Sequence, residues 1–291
     1  MSLDSMKEIF DLMAEKGKPF WEVVLEDDME TRQVTRNQSM AKMLTTWQAM
    51  VDAADSYTGQ KRSVSGLVGG DGMKMRQYCI RGEAISGGYV SEVIAEALSM
   101  AESNACMRRI VAAPTAGACG VLPAVLLPLC KYEELSQHQI LEALYVASGI
   151  GAVVSFRACI AGASGGCQAE IGTASAMAAG ALTSLRGGDP QQIGHAAAMA
   201  LKNLMGLVCD PVAGLVEVPC VKRNVVGSVN AVSCADMALA GVESRIPVDE
   251  VIDCMGEVGR RMPMEMRETA LGGLAATPTG KAVKERMEQQ D

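Results

Sequence analysis

The sequence predicts an all-α fold, and three observations predict it. Of its 291 residues 49% are hydrophobic but only 3% aromatic, so a core of Ala, Val, Leu and 20 Met has to do the filling. Thirty glycines let backbones approach closely, which suits helix packed on helix better than sheet on sheet. Apolar residues also recur at spacings of one, three and four rather than in strict alternation, as in Ile9, Phe10, Met13 and again in Met40, Met43, Leu44, Trp47. No internal repeat, low-complexity tract or linker divides the chain, so residues 1–291 are expected to form one helical domain, with 1–60 as its helical lead-in.

Residues 3–59 read as charged amphipathic helices on the outside of the core, with Trp21 and Trp47 as packing residues. Lys61 to Gly72 is too glycine-rich for a helix interior and is expected as a loop, where backbone N–H groups and serine hydroxyls could receive an anion. No Gly-Lys-Ser or Gly-Lys-Thr follows, so it is not a nucleotide P-loop. Gly87 to Met107 presents one apolar face through Val90, Val93, Ile94, Ala97, Leu98 and Ala101. Pro114 to Gly120 then interrupts and feeds the apolar segment Val121 to Cys130, whose start offers free N–H groups; Thr115 and Gly117 are the candidates for an anion there. Cys119, among Ala and Gly, reads as a buried thiol.

Ser136 and Gln139 fit a capping box opening a helix from Gln137 to about Val154, with His138 facing solvent in its first turn. Asp189-Pro190 reads as N-cap and first position of a helix through Val208, which would deliver Cys209 at its C-terminus. His195 lies near the start of that helix, about 20 Å from Cys209 at helical rise, too far for a shared ligand shell. An alanine-rich helix is expected after Asn224 to about Val242, and two more over Pro247 to Arg261 and Gly280 to the end.

The formal net charge of -8 and the lack of a basic stripe argue against nucleic-acid binding. The N-terminus has no charged-then-apolar signal layout, so the ten cysteines are expected as reduced, cytoplasmic thiols. The most apolar run, Ala143 to Phe156, has fourteen residues, short of the roughly 20 that span a bilayer. It reads as a buried core helix, not a membrane segment.

Three cysteines stand at breaks in the pattern. Cys167 follows Gly165-Gly166, Cys209 precedes Asp210-Pro211, and Cys220 abuts Pro219, so all three belong to loops or helix ends, where thiols can converge on a metal. Taken singly, each is more simply a small buried hydrophobe. The trio contains no Cys-x-x-Cys pair of the kind zinc sites use. Adjacent Lys222 and Arg223 would ordinarily be a solvated pair, but beside such a site they could receive a carboxylate.

The segments Ala-Pro-Thr-Ala-Gly-Ala-Cys-Gly-Val-Leu-Pro-Ala-Val-Leu (113–126), Gly-Gly-Cys-Gln-Ala-Glu-Ile-Gly (165–172) and Cys-Asp-Pro-Val-Ala-Gly-Leu-Val-Glu-Val-Pro-Cys-Val-Lys-Arg-Asn (209–224) resemble the signatures of the iron-sulfur-dependent L-serine dehydratases, specifically their alpha chain. The likeness runs through almost the whole chain and is densest between Ser65 and Asn224. It implies that Cys167, Cys209 and Cys220 hold a four-iron, four-sulfur (4Fe-4S) cluster in a buried cavity lined by loops and helix ends, and that Ser65 and Gly66 contact substrate.

Three thiolates on four irons leave one iron open as a Lewis acid. The resemblance implies that it takes the hydroxyl of L-serine while a base removes the α proton, giving pyruvate and ammonia. A related lyase acting on L-cysteine, or a non-catalytic helical subunit with structural cysteines, are the alternatives. Neither His138 nor His195 sits in the Ser-His-Thr setting of the family's proposed base. The base is therefore expected on a separately encoded beta chain, in an oligomer.

Overall fold

The computed structural model describes residues 2–289, and among them helix is the only regular secondary structure apart from one isolated bridge, Cys209 to Arg267. The N-terminal lead-in forms α1 (Met6–Lys16), α2 (Phe20–Arg32) and α3 (Arg36–Asp55). Serine and threonine caps start two of them: Ser5 accepts from the Glu8 N–H, and Thr35 with Gln38 closes a capping box, each cap contributing roughly 0.5–2 kcal/mol. Trp47 is buried in the core, while Trp21 packs against it half-buried, under the Arg36 guanidinium.

The glycine-rich loop runs only to Gly70, and α4 (Asp71–Ile80) starts at once, two residues earlier than its composition suggests, because Glu102 accepts from the Asp71 and Gly72 N–H groups at 2.8 and 3.3 Å. Next come α5 (Gly87–Ala105), α6 (Val121–Tyr132) and α7 (Gln137–Arg157). The Ser136–Gln139 capping box is present, and α7 runs one turn beyond Val154. This helix is long and apolar enough to cross a membrane by length and composition alone, but 67% of its most apolar window is buried against the rest of the fold.

A four-residue turn, α8 (Gly162–Gly165), and a π-helical turn over Gln168–Gly172 lead into α9 (Thr173–Leu185). This is the axis of the molecule. Every residue from Thr173 to Thr183 is buried, and its Ala, Gly and Ser side chains let α7, α10 (Pro190–Leu204) and α11 (Cys220–Leu239) close around it. Glycines on both sides make room: a Cβ on Gly180 would sit 2.2 Å from Ile150 Cδ1, and one on Gly151 would sit 2.9 Å from Met177 Sδ. α12 (Val248–Arg261) covers α10, and α13 (Pro278–Glu288) packs on the turns at 212–214 and 273–276. The main apolar cluster draws buried residues from Leu3 to Met255.

Two further boundaries differ from expectation, and both of these concern cysteines. α10 opens with the Asp189–Gln192 capping box and Pro190 but stops at Leu204, because Met205 turns extended (ψ 135°) and Gly206 takes φ +86°. Cys209 thus lies in an extended segment five residues past the helix. α11 starts at Cys220 itself rather than after Asn224, so this thiol occupies a helix N-terminus.

Candidate active site

α9, α10 and α11 pack side by side, and their ends on one side carry the three cysteines. Cys167 precedes the π-helical turn that opens α9, Cys209 follows α10, and Cys220 begins α11. Gln168, 1% exposed, ties the first two together: its N–H donates to Leu207 O (2.9 Å), its Oε1 accepts from the Gly206 N–H (2.8 Å), and its Nε2 donates to Met255 O (3.1 Å). The Cys209 segment is pinned from its other side, where its N–H donates to Met266 O at 2.8 Å and its carbonyl accepts from the Glu268 N–H at 2.7 Å.

All three thiols are free, two of them buried and Cys220 partly so. Burial pushes the Cys167 thiol up to about 11 and Cys220 to about 12, and raises Cys209 further. The thiols also feel one another. Cys167 raises both Cys209 and Cys220, and Cys220 raises Cys209, as thiols that lie near one another do. Arg223 pulls the other way and favours the thiolates of Cys167 and Cys220. Among the described residues no three His, Cys, Asp or Glu side chains close around a single point as one metal ion requires. A polynuclear cluster asks for something else, separated thiolates that each take a different iron, and three free thiols on one pocket wall fit that donor set.

The Thr115–Gly120 segment lies against this pocket. Asn224, 1% exposed, fastens it there: Nδ2 donates to Gly117 O (2.7 Å) and to Cys220 O (3.0 Å), while Oδ1 accepts from the Gly120 N–H (2.9 Å). A Cβ on Gly117 would meet the Glu170 carboxylate at 3.3 and 3.4 Å. Thr115 Oγ1 is buried without an aligned hydrogen-bond partner, yet it lies near enough to Glu170 to favour that carboxylate's ionised form. Cys119 is fully buried behind the segment, its thiol pushed up to about 12 by desolvation.

The glycine-rich loop reaches the same region through Glu217, which is 4% exposed. Its carboxylate accepts from Ser63 Oγ (2.6 Å), from Ser65 Oγ and from the Ser65 N–H (3.4 Å), three residues before Cys220. Gly66 turns at the exposed tip with φ +77°. Arg286 of α13 donates to Ser65 O at 2.8 Å. Lys222 and Arg223 do receive carboxylates, but the chain's own: Lys222 pairs with Asp71 at 2.8 Å, and Arg223 bridges Asp210 Oδ1 (2.8 Å) and Val208 O (2.7 Å). Both act as struts. Lys222 holds α4, and Arg223 holds the Cys209 segment against α11.

Two further carboxylates belong to the pocket. A Cβ on Gly162 would lie 2.8 Å from Glu170 Oε2, 3.0 Å from Cys209 Sγ and 3.3 Å from Glu268 Oε2, so the missing side chain leaves space that all three border. Neither acid forms an ion pair among the described residues. Desolvation, and then Glu268, push the Glu170 carboxyl above its usual range, partly offset by Thr115. Sequence did hold a signal for Glu170, since it is the only charged residue between Arg157 and Arg186. The histidines are elsewhere: His138 faces solvent beside Glu142 at 3.3 Å, and His195 Nδ1 accepts from the Ser244 N–H at 3.3 Å.

Fold and site together define an all-helical protein whose three helix ends bring free thiols and unpaired carboxylates into one pocket. Residues 15–275 match the family described as the serine dehydratase alpha chain, and the chain belongs to that family. It is 44% identical over 283 residues to the probable L-serine dehydratase, alpha chain, of Bacillus subtilis (strain 168), covering 97% of this chain and 94% of that one. To the L-serine dehydratase, alpha chain, of Peptoniphilus asaccharolyticus it is 41% identical, covering 97% of each. L-serine dehydratase 2 of Escherichia coli (strain K12) is 46% identical over 181 residues, 62% of this chain but only 40% of that longer protein.

Proposed function

We propose that this chain is the alpha subunit of a cytoplasmic L-serine dehydratase, a carbon–oxygen lyase that converts L-serine to pyruvate and ammonia, and that all 291 residues serve as one catalytic domain. The observation that supports the reading is that Cys167, Cys209 and Cys220, near the ends of three packed helices, lie close enough to influence one another and Glu170, whose carboxylate borders Gly117 and the Cys209 thiol. In it the three thiols would hold a 4Fe-4S cluster. Such a cluster, with only three thiolate ligands, supplies an open iron as the Lewis acid that assists departure of the substrate's hydroxyl group.

The chain's own residues do the rest of the preparation. The thiols must give up protons their burial favours, and Arg223 beside Cys167 and Cys220, together with the helix N-terminus at Cys220, lowers that cost. Thr115 presents a buried hydroxyl with no aligned partner, and the Gly117 segment approaches without a side chain; both suit contact with a small amino acid. Ser65 and Gly66 form the loop edge over the site, with the Ser65 hydroxyl oriented by Glu217. Lys222 and Arg223 support that edge and the thiols through Asp71 and Asp210 rather than by meeting substrate with a free charge.

Removal of the α proton needs a base within hydrogen-bond reach. Both histidines are committed away from the pocket, which supports a base supplied by a separately encoded beta chain in a hetero-oligomer. Val64 and Leu67 on the serine-glycine loop and Leu271 and Leu274 on the C-terminal turns are exposed apolar side chains that a partner could cover, on two segments that both contact α13. The test is pyruvate formation from L-serine, D-serine, L-threonine and L-cysteine by anaerobically reconstituted alpha chain, alone and with its beta chain. Turnover of L-serine that requires the beta chain is expected. Full activity of the alpha chain alone would refute the division of labour, and preference for L-cysteine would refute the substrate.

A further inference from the structure

An amino-acid substrate brings an ammonium group as well as a hydroxyl and a carboxylate, and the pocket must supply its counter-charge or leave it desolvated and unpaired. Most carboxylates near the thiols are already engaged. Asp210 is held by Arg223 and by the Leu274 N–H at 2.8 Å, Glu217 by Ser63 and Ser65, and Asp71 by Lys74 and Lys222. Two remain without an ion pair among the described residues, Glu170 and Glu268, and they face each other across the gap at Gly162. Glu170 is the deeper of the pair and reaches the sequence-predicted contacts Thr115 and Gly117 on one side and the Cys209 thiol on the other.

The local backbone is shaped for this placement. Glu170 sits in the π-helical turn Gln168–Gly172, a widened turn that swings its side chain into the pocket rather than along α9. Two glycines clear its path: a Cβ on Gly162 would lie 2.8 Å from Oε2, and one on Gly117 would lie 3.3 Å from Oε1. Glu268 is a non-glycine residue at φ +62°, a conformation held by its N–H bond to Cys209 O.

From these observations we propose that Glu170 binds the α-ammonium group of the substrate, with Thr115 Oγ1 and the Glu268 carboxylate as the neighbouring acceptors. The assignment rests on the L-serine reading above and adds to it the residue that selects an amino acid over the corresponding hydroxy acid.

Glu170→Gln keeps the size and removes the charge. In the reconstituted alpha–beta enzyme it should raise KM for L-serine roughly tenfold to hundredfold, the usual cost of losing a hydrogen bond to a charged group. Binding of 3-hydroxypropionate, which keeps the hydroxyl and carboxylate but lacks the ammonium, should stay at its wild-type strength when followed by the perturbation it causes in the cluster's electron paramagnetic resonance. Glu170→Asp, with the charge kept but drawn back, should fall between. A KM unchanged in Glu170→Gln, a fall in kcat alone, equal losses for both ligands, or loss of the cluster from the variant would each overturn the assignment. Failure of the wild-type enzyme to make pyruvate from L-serine would instead bring down the dehydratase reading, and the assignment with it.

Discussion

Replacing Asn224 by Ala perturbs the one side chain that joins the Thr115–Gly120 segment to the Cys220 helix end. Asn224 is 1% exposed and makes three hydrogen bonds, to Gly117 O, Cys220 O and the Gly120 N–H. Truncation leaves the buried Gly120 N–H and the part-buried Gly117 carbonyl without these partners. At about 1–3 kcal/mol for each orphaned group, the loss is about 2–6 kcal/mol. The assay is urea unfolding of the metal-free chain followed by circular dichroism, where the midpoint should fall while the slope is unchanged. Thermal unfolding should drop by at least about 4 °C on the usual scaling for chains of this order. Asn203→Ala is the control, because Asn203 is exposed and its side-chain amide donates only to Asn230 Oδ1 and the Cys234 thiol of α11; it should cost about 0.5 kcal/mol or less. The variant should also take up less iron and sulfide, since Cys220 and Gly117 lose their common anchor. An Asn224→Ala chain as stable as the control would refute the claim that this amide holds the pocket together.

Other perturbations give equally direct outcomes. Gly162→Ala places a methyl 2.8 Å from Glu170 and 3.0 Å from the Cys209 thiol, so reconstituted cluster absorbance should fall while the metal-free chain stays folded by circular dichroism. Gly273→Ala combines φ +57° with a Cβ 2.4 Å from Asp210 Oδ2, and it should cost about 1–3 kcal/mol of stability, read as a lower urea midpoint, as the Asp210–Leu274 bond breaks. In the metal-free chain Cys167 and Cys220 are raised from the ordinary value of 9.0 to about 11 and about 12, so the folded state keeps protons that the unfolded state releases. Their contribution to stability is full below about pH 9 and is lost as pH rises through 11 to 12. Urea midpoints across that window should fall more steeply for wild type than for Cys167→Ser.

Much of this was legible in the residues. The Ser136 and Asp189-Pro190 starts are local devices, and a local device can be read from its own few residues. The three cysteines stood out because glycine or proline flanks each one. What sequence reading missed was tertiary. Nothing in the order of residues says that Asn224 meets Gly117 or that Glu217 gathers Ser63 and Ser65, since each pairing spans a hundred residues or more. The sequence offers Lys222 and Arg223 as a solvated pair or as receivers of a carboxylate; in the fold each pairs with a carboxylate of the chain itself, Asp71 and Asp210, which only the packing of α4 and of the Cys209 segment against α11 brings near. The end of α10 was placed four residues late because the apolar pattern continues past Leu204, while the backbone already breaks at Met205 and Gly206. Glu170 was visible as a lone charge in an apolar run, but its part depends on a π-helical turn that no periodicity announces.

The central claim is that Cys167, Cys209 and Cys220 form the cluster site and the other cysteines do not. It is tested most directly by iron and sulfide content and visible absorbance after anaerobic reconstitution of six single Cys→Ser chains. Cys167→Ser, Cys209→Ser and Cys220→Ser should each lose the absorbance and the bound iron. Replacement of Cys79, Cys106 or Cys254, whose thiols meet Ser91 O, Lys61 O and Met205 Sδ, should leave most of both. Equal losses across all six would contradict the account.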